Sequence, residues 1–254
     1  VAELARLRVP GALDPSEHKW AIDVLAEYFH VVADSAPISR ARARFEQLGP
    51  RTGSELEAAS TPRPRAHAPV SGVSYDQFLE LCRQRRSVRW FEQRRVPTDL
   101  VTKALAAAAQ APSACNRQPF LFRYFDEPAD AHRIASIAMG TTGYAQNIPA
   151  IVVLLGDLGC YPEERDRHVP YIDASLAAMQ FMLSLETLGL ASCPINWPDI
   201  EHREREMAEA LALPLHLRPV MLIALGYPDP QGGVPHSAKK PGQSLLRTSN
   251  DYTP

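Results

Sequence analysis

The stretch 112-PSACNRQPF-120 joins an alanine-rich run, 98-TDLVTKALAAAAQA-111, to an aromatic one, 120-FLFRYFDE-127. The first is a strong helix former, capped by Thr98 after Pro97, and the second has strand character. A plain turn would connect them, yet the junction carries two prolines and several amide and hydroxyl groups. Pro112 helps to stop the helix, and Pro119 favours extended geometry for the residue ahead of it. Ser113, Asn116 and Gln118 are therefore expected in a rigid loop. Asn and Gln each present a donor and an acceptor, which suits a polar heterocycle with carbonyl and imino groups. Ordinary turn chemistry explains Pro112, Ser113 and Asn116 as well, but explains Gln-Pro-Phe less readily.

Working outward, the periodicity predicts helices over 75–86, from about Asp130 to Gly140, over 171–190 and over 199–211. Strands are predicted over 150–157, 191–197 and 217–228. The run 150-AIVVLLGD-157 is apolar on both of its alternating faces, as a strand in mid-sheet is. The helix over 171–190 is apolar nearly all round, which points to burial on several sides, and we read its free side as a subunit interface. The result is an α+β plan with helices around one sheet. Ahead of it lie an amphipathic helix over 19–34 with Ser16 as N-cap and a more charged helix over 38–48. The Pro-rich stretch 59-ASTPRPRAHAPVSG-72 then reads as an extended linker. Residues 1–72 are thus an appendage, a binding arm or a strap over a partner subunit, and 73–254 the main domain.

Composition narrows the function classes. With 27 basic and 29 acidic residues in 254, the net charge of −2 gives no global field for nucleic acid or an anionic membrane, so any anion site is local. No apolar run approaches the roughly 20 residues of a bilayer helix, and no basic-then-apolar leader opens the chain. A cytoplasmic protein is expected, although Val1 stands where a new chain would carry Met and leaves a preceding segment open. Cys82, Cys115, Cys160 and Cys193 are scattered without a C-x-x-C pair and read as free thiols. The eight histidines show no ligand spacing, so no metal is expected.

Two more stretches carry candidate chemistry. In 85-RRSVRWF-91, Arg85, Ser87 and Arg89 fall on one side if the chain is extended, and Arg85 and Arg89 do so if it is helical. Two guanidinium forks and a hydroxyl suit a phosphate monoester. Taken alone, the run reads first as a solvated basic helix end. The tail 226-GYPDPQGGVPHSAKKPGQSL-245 carries Lys239 and Lys240, which taken alone are solvated charge.

In this order the stretches resemble the nitroreductase family of flavin enzymes. The family shows an R-x-S-x-[RK]-x-[FY] run, here Arg85 to Phe91, then a P-S-x-x-N-x-Q-P-[WF] loop, here Pro112 to Phe120. A helix ending in G-L before a strand follows, here 186-ETLGLASCPI-195, and a basic residue ahead of a late proline, here 239-KKP-241. The resemblance runs from about Tyr75 to the C-terminus. It implies a mostly antiparallel sheet surrounded by helices, an FMN-binding homodimer, and two active sites at the interface, each built from both chains.

By that resemblance Arg85, Arg86, Ser87, Lys239 and Lys240 hold the FMN phosphate, and Arg89 approaches the N1/O2 edge of the flavin. Pro112, Ser113, Ala114 and Asn116 reach it from the partner subunit, and Pro194, Ile195 and Asn196 lie near N5. Many relatives carry a small hydroxyl residue where Ala114 stands and a glycine in the strand segment. Proline has no N–H, so a backbone contact to N5 falls to Ile195 or Asn196. Thr141 and Thr142 in 139-MGTTGYAQNIP-149 are candidates to line the pocket, though a helix end and loop would read the same. The activity implied is a ping-pong hydride reduction of a nitro, quinone or enone acceptor by NAD(P)H, with no obligatory catalytic side chain because the flavin does the chemistry. The alternatives are a protein that sequesters FMN and one that consumes it.

Overall fold

The computed structural model describes residues 15–47 and 60–248. The chain divides into two compact units, Val1–Gly72 and Val73–Pro254.

In the first unit, helix α1 (Pro15–Val31) is followed by α2 (Ala36–Glu46). Because α1 already includes Pro15, Ser16 lies inside its first turn and not ahead of it as the expected cap. Helix α2 starts two residues earlier than predicted, with Pro37 in its first turn, where a missing N–H costs nothing. Phe29 is buried, with its ring 5.4 Å from that of Phe45. Asp23 is also buried, and its Oδ2 accepts from Lys19 Nζ at 2.6 Å and from the Ser60 amide at 2.9 Å. A short turn at Arg65–His67 interrupts the linker predicted as extended. Residues 48 and 59, the expected helix end and linker start, lie outside the described residues.

The second unit opens with α3 (Tyr75–Gln84). Its start is a reciprocal capping box: Ser74 Oγ accepts from the Gln77 amide at 3.2 Å, and Gln77 Oε1 accepts from the Ser74 amide at 2.9 Å. Next come α4 (Thr98–Ala108), β1 (Phe120–Phe125), α5 (Pro128–Ile137), β2 (Ala150–Asp157), α6 (Val169–Thr187), β3 (Ala191–Asn196), α7 (Glu201–Leu211) and β4 (Leu217–Gly226). Pro97, not Thr98, is the N-cap of α4. Thr98 is already helical, and its carbonyl accepts from Thr102 Oγ1 at 2.9 Å.

The four strands run β1-β2-β4-β3, and every neighbouring pair is antiparallel. The α+β architecture with one antiparallel sheet is thus as the sequence predicts, and β2 is an inner strand. Its alternating side chains enter two cores. Ile151, Val153 and Leu155 meet α5 and α7 through Ile134, Ala135, Met207 and Leu211. Ala150, Val152 and Leu154 meet α4 and α6 through Ala104, Ala108, Ala178 and Phe181. Three layers result, which is why β2 has no polar face.

The register also separates the two motif stretches. Phe120, the last residue of the loop 112–120, pairs with Gly156, and the Asp157 amide donates to Pro119 O at 2.8 Å. The run 85–91 lies at the other end of β2: Ser87 bridges Ser192, Phe91 bridges Pro228, and Ala150 pairs with Leu225. Six residues of strand between Ala150 and Gly156 amount to about 20 Å. Gly226 is required at that second end, because a Cβ there would meet Pro149 Cγ at 2.6 Å and the Phe91 ring at 3.1 Å.

Candidate functional site

Helix α3 stops at Gln84, and Arg85 has an extended backbone with φ −57° and ψ 120°. The run after it follows the free edge of β3, where the Val88 amide donates to Ser192 O at 3.1 Å. The extended alternative therefore holds, and Arg85, Ser87 and Arg89 share a side. Arg85 Nε is buried without a hydrogen-bond partner, and so is Ser192 Oγ on the paired strand. Orphaned buried groups of this kind are rare and call for an absent acceptor or donor. Arg86 is committed differently: its Nη1 donates to Arg85 O at 2.7 Å and to Cys82 O at 3.4 Å, at the end of α3.

Arg89 stands over the Tyr144 ring, with Cζ 5.7 Å from the centroid, and its carbonyl accepts from Asn147 Nδ2 at 2.8 Å. Gln93 Nε2 in turn donates to Asn147 Oδ1 at 3.3 Å. Burial pushes the Tyr144 phenol above its ordinary range, so it stays neutral beside the guanidinium. Burial likewise raises the Cys193 thiol, against the pull of Arg89, Ser87, Tyr144 and Arg85. Glu186, at the end of α6, accepts from Gln84 Nε2 at 3.4 Å, and burial raises its carboxyl despite Gln84, Arg85 and Arg86.

Strand β3 is an edge strand, which is where a proline fits. Since Ser192 turns its carbonyl outward to Val88, the alternation of a strand turns residues 194 and 196 outward too. Cys193 and Ile195 face β4, opposite Ala224 and Leu222. Of the two amides expected to substitute for Pro194, that of Asn196 thus faces the open edge, whereas that of Ile195 belongs to the ladder. Asn196 is exposed and Ile195 buried.

The loop 112–120 is held by groups that lie outside every motif stretch. Asp173 is buried near the start of apolar α6, and its Oδ2 accepts from the Ala114 amide at 3.2 Å and from the Tyr161 hydroxyl at 2.6 Å. Burial and then Asp173 push the Tyr161 phenol up, and Arg117 lies over its ring with Cζ 5.3 Å from the centroid. An aspartate near the start of an otherwise apolar helix is the one sign of this anchor that the sequence offers. Ser113 Oγ accepts from the Gln118 amide at 3.0 Å, while Pro112, Ala114 and Asn116 are exposed. Cys115, Asn116 and Gln118 have φ of 52°, 54° and 49°. Gln118 is thus left-handed despite preceding Pro119, because its amide must reach back to Ser113. Three such non-glycine residues in a row of four carry backbone strain, a feature that clusters at ligand clamps.

The remaining expected residues separate. Thr141 is buried, and its Oγ1 donates to the carbonyls of Ala135 and Ala138 at 2.9 and 3.2 Å, closing the end of α5; Thr142 is exposed. Lys239 and Lys240 are exposed in the tail, where Lys239 Nζ donates to Ser237. That tail leaves the sheet beside the arginine run, since the Asp229 amide donates to Trp90 O at 3.0 Å. On α6, Ile172, Leu176 and Met179 form an exposed apolar stripe at i, i+4 and i+7. No helix of the described residues is long and apolar enough to cross a membrane.

The fold thus sets a basic run along an edge strand and an anchored polar loop at opposite ends of one antiparallel sheet. The nitroreductase family model matches residues 82–146 and 145–227, and the chain belongs to that family. It is 29% identical over 184 residues to a protein named NADH dehydrogenase from Thermus thermophilus, covering 60% of this chain and 87% of that one. It is 24% identical over 219 residues to iodotyrosine deiodinase 1 from Sus scrofa, covering 72% and 75%. An FMN-dependent nitroreductase structure from Clostridium difficile shares the fold with a TM-score of 0.58 at 22% identity, covering 68% of this chain and 99% of that one. The chain is therefore an oxidoreductase of the nitroreductase family.

Proposed function

We propose that this protein is an FMN-dependent oxidoreductase that uses NAD(P)H to reduce a small organic acceptor of nitro, quinone or enone type. It works as a homodimer whose two sites are each built from both chains. The observation that carries this reading is the separation of the motif halves. The arginine run, with the orphaned Arg85 Nε, and the strained loop, anchored by Asp173, lie about 20 Å apart along the sheet of one chain. A second copy would bring the two halves together, and the exposed stripe Ile172, Leu176 and Met179 is a surface on which such a copy would pack.

The residues present fit FMN. Arg85 and Ser87 would hold the phosphate through charge-assisted contacts, with Lys239 and Lys240 supplied by the adjacent tail. Arg86, already bonded to the end of α3, adds its charge at that place and frames Arg85. Arg89, braced by Tyr144 and Asn147, would place a cation against the N1/O2 edge and so favour a reduced, negatively charged ring. The outward Asn196 amide would serve as the donor toward N5, and Pro112, Ser113, Ala114 and Asn116 would cover the ring from the partner. Thr142 completes the rim of the Arg89 side. When bound, FMN supplies the two-electron chemistry, taking electrons from a reduced nicotinamide and passing them to the acceptor. The protein's part is position and electrostatics, with residues 73–254 carrying the whole site.

The test is NAD(P)H oxidation by the FMN-loaded protein with a panel of nitroaromatics, quinones, enones and halogenated phenols, the last because some relatives are named iodotyrosine deiodinases. Acceptor-dependent turnover is expected with at least one class. A flavin that stays oxidised with both nicotinamides would instead favour sequestration, and loss of intact FMN in air would favour its consumption.

A further inference from the structure

Tyr161 belongs to none of the motif stretches, yet it meets the loop 112–120 at the residue whose backbone is most firmly held. Ala114 is exposed, but both of its backbone polar groups are engaged. Its amide donates to Asp173 Oδ2 at 3.2 Å, and its carbonyl accepts from the Tyr161 hydroxyl at 3.3 Å. The same hydroxyl donates to Asp173 Oδ2 at 2.6 Å, so Ala114, a buried carboxylate and a half-buried phenol close a ring of three contacts. Burial and then Asp173 push the phenol up, which keeps it a donor.

Two more ties join the loop to the turn that carries Tyr161. Arg117 Nη1 donates to Cys160 O, and the Asp157 amide donates to Pro119 O at 2.8 Å. Asp157 Oδ1 in turn accepts from the Gly159 amide at 2.8 Å and so fixes the single turn Leu158–Cys160. The loop is thus fastened at residues 114, 117 and 119, and the left-handed Cys115, Asn116 and Gln118 lie between these points. The loop contains no glycine to adopt those angles freely. Left-handed non-glycine residues persist where their surroundings over-determine them, and the fastenings supply that constraint.

We propose that Tyr161 and Asp173 are positioning residues of the flavin site, an inference that rests on the reading of the loop 112–120 as the cover of the ring. By pinning Ala114 at its amide and at its carbonyl, they hold the loop in its strained shape before any ligand arrives. FMN then binds without having to order the loop, which is how preorganisation raises affinity. Asp173 acts here as a doubly used acceptor, not as a charge. Asparagine offers the same acceptor, whereas alanine removes it.

The experiment is amide hydrogen exchange on the flavin-free full chain, followed by FMN titration of the same samples, for the unaltered protein, Asp173→Asn, Asp173→Ala and Tyr161→Phe. The Ala114 amide of the unaltered protein should exchange at least about tenfold more slowly than an open exposed amide, and Asp173→Asn should keep that protection. Asp173→Ala should lose it and weaken FMN binding about tenfold, with Asp173→Asn close to the unaltered affinity. Tyr161→Phe leaves the carboxylate on the Ala114 amide and removes only the hydroxyl; it should weaken FMN binding at least about threefold, and it keeps the test decisive if Asp173→Ala fails to fold. Ala114 protection that survives Asp173→Ala, an Asn variant that behaves like the Ala variant, or full FMN affinity in Tyr161→Phe would overturn the assignment. An unaltered protein that binds no FMN would defeat the flavin reading itself, and the exchange rates would still decide whether the carboxylate and the phenol set the loop.

Discussion

At the scale of residues, the proposed flavin binding turns on which charges are already engaged. Arg86 bonds to the end of α3, while the Nε of Arg85 lacks a partner. Arg85→Ala and Lys239→Ala should each weaken FMN binding by about 1.5–3 kcal/mol, roughly 10- to 150-fold in the dissociation constant. Fluorescence titration checks this, and retention of full affinity by both variants would sink the phosphate assignment. Asp173→Ala leaves the Ala114 amide and the Tyr161 hydroxyl without their acceptor. It should cost about 1–3 kcal/mol in urea unfolding, since two part-buried hydrogen bonds lose their acceptor. The thiols give a third check. Cys115 is exposed and Cys193 is buried with its thiol pushed up, so a disulfide reagent should label Cys115 first and Cys193 only at alkaline pH or on unfolding. Early loss of the Cys193 thiol at neutral pH would contradict the packing of β3.

At the scale of elements, the large pattern is legible in the sequence and the local geometry is not. The order of helices and strands follows from periodicity, and the uninterrupted apolar character of 150–157 places β2 inside a covered sheet. Helix ends are harder to read. Ser16 and Thr98 look like caps but are already helical, whereas the capping box Ser74/Gln77 is present in the sequence and decides where α3 begins. The left-handed Gln118 ahead of Pro119 could not be read from propensity, because the bond to Ser113 that imposes it is made by the folded loop. The same holds for Tyr144, which lies 55 positions from Arg89 in the sequence and under its guanidinium in the fold. Gly226→Ala tests the packing of β4 on Pro149 and Phe91. With contacts of 2.6 and 3.1 Å in its way, the new methyl should cost about 1–3 kcal/mol of stability. Leu176→Asp combined with Met179→Asp should turn a dimer into a monomer by light scattering and strip the flavin. A flavin-loaded monomer would show that one chain suffices.

For the whole molecule, residues 73–254 are proposed to hold everything the cofactor needs, with 1–72 added to them. The chain truncated to 73–254 should unfold cooperatively and bind FMN as the full chain does; a truncated chain that stays folded without binding flavin would give the appendage a part in the site. The family membership is carried by an ordered set of short stretches more than by overall likeness, since 29% identity to one relative leaves most side chains different. The motifs suggest the cofactor class, and the fold adds their placement: one chain carries the arginine run and the loop 112–120 on opposite ends of its sheet. The most direct measurement is the visible spectrum of the protein saturated with FMN, desalted, and titrated without oxygen with NADH and with NADPH. One flavin retained per chain and bleached by an equivalent of at least one nicotinamide is the predicted result. A colourless protein after desalting, or a colour that neither nicotinamide removes, would contradict a flavin-dependent NAD(P)H oxidoreductase.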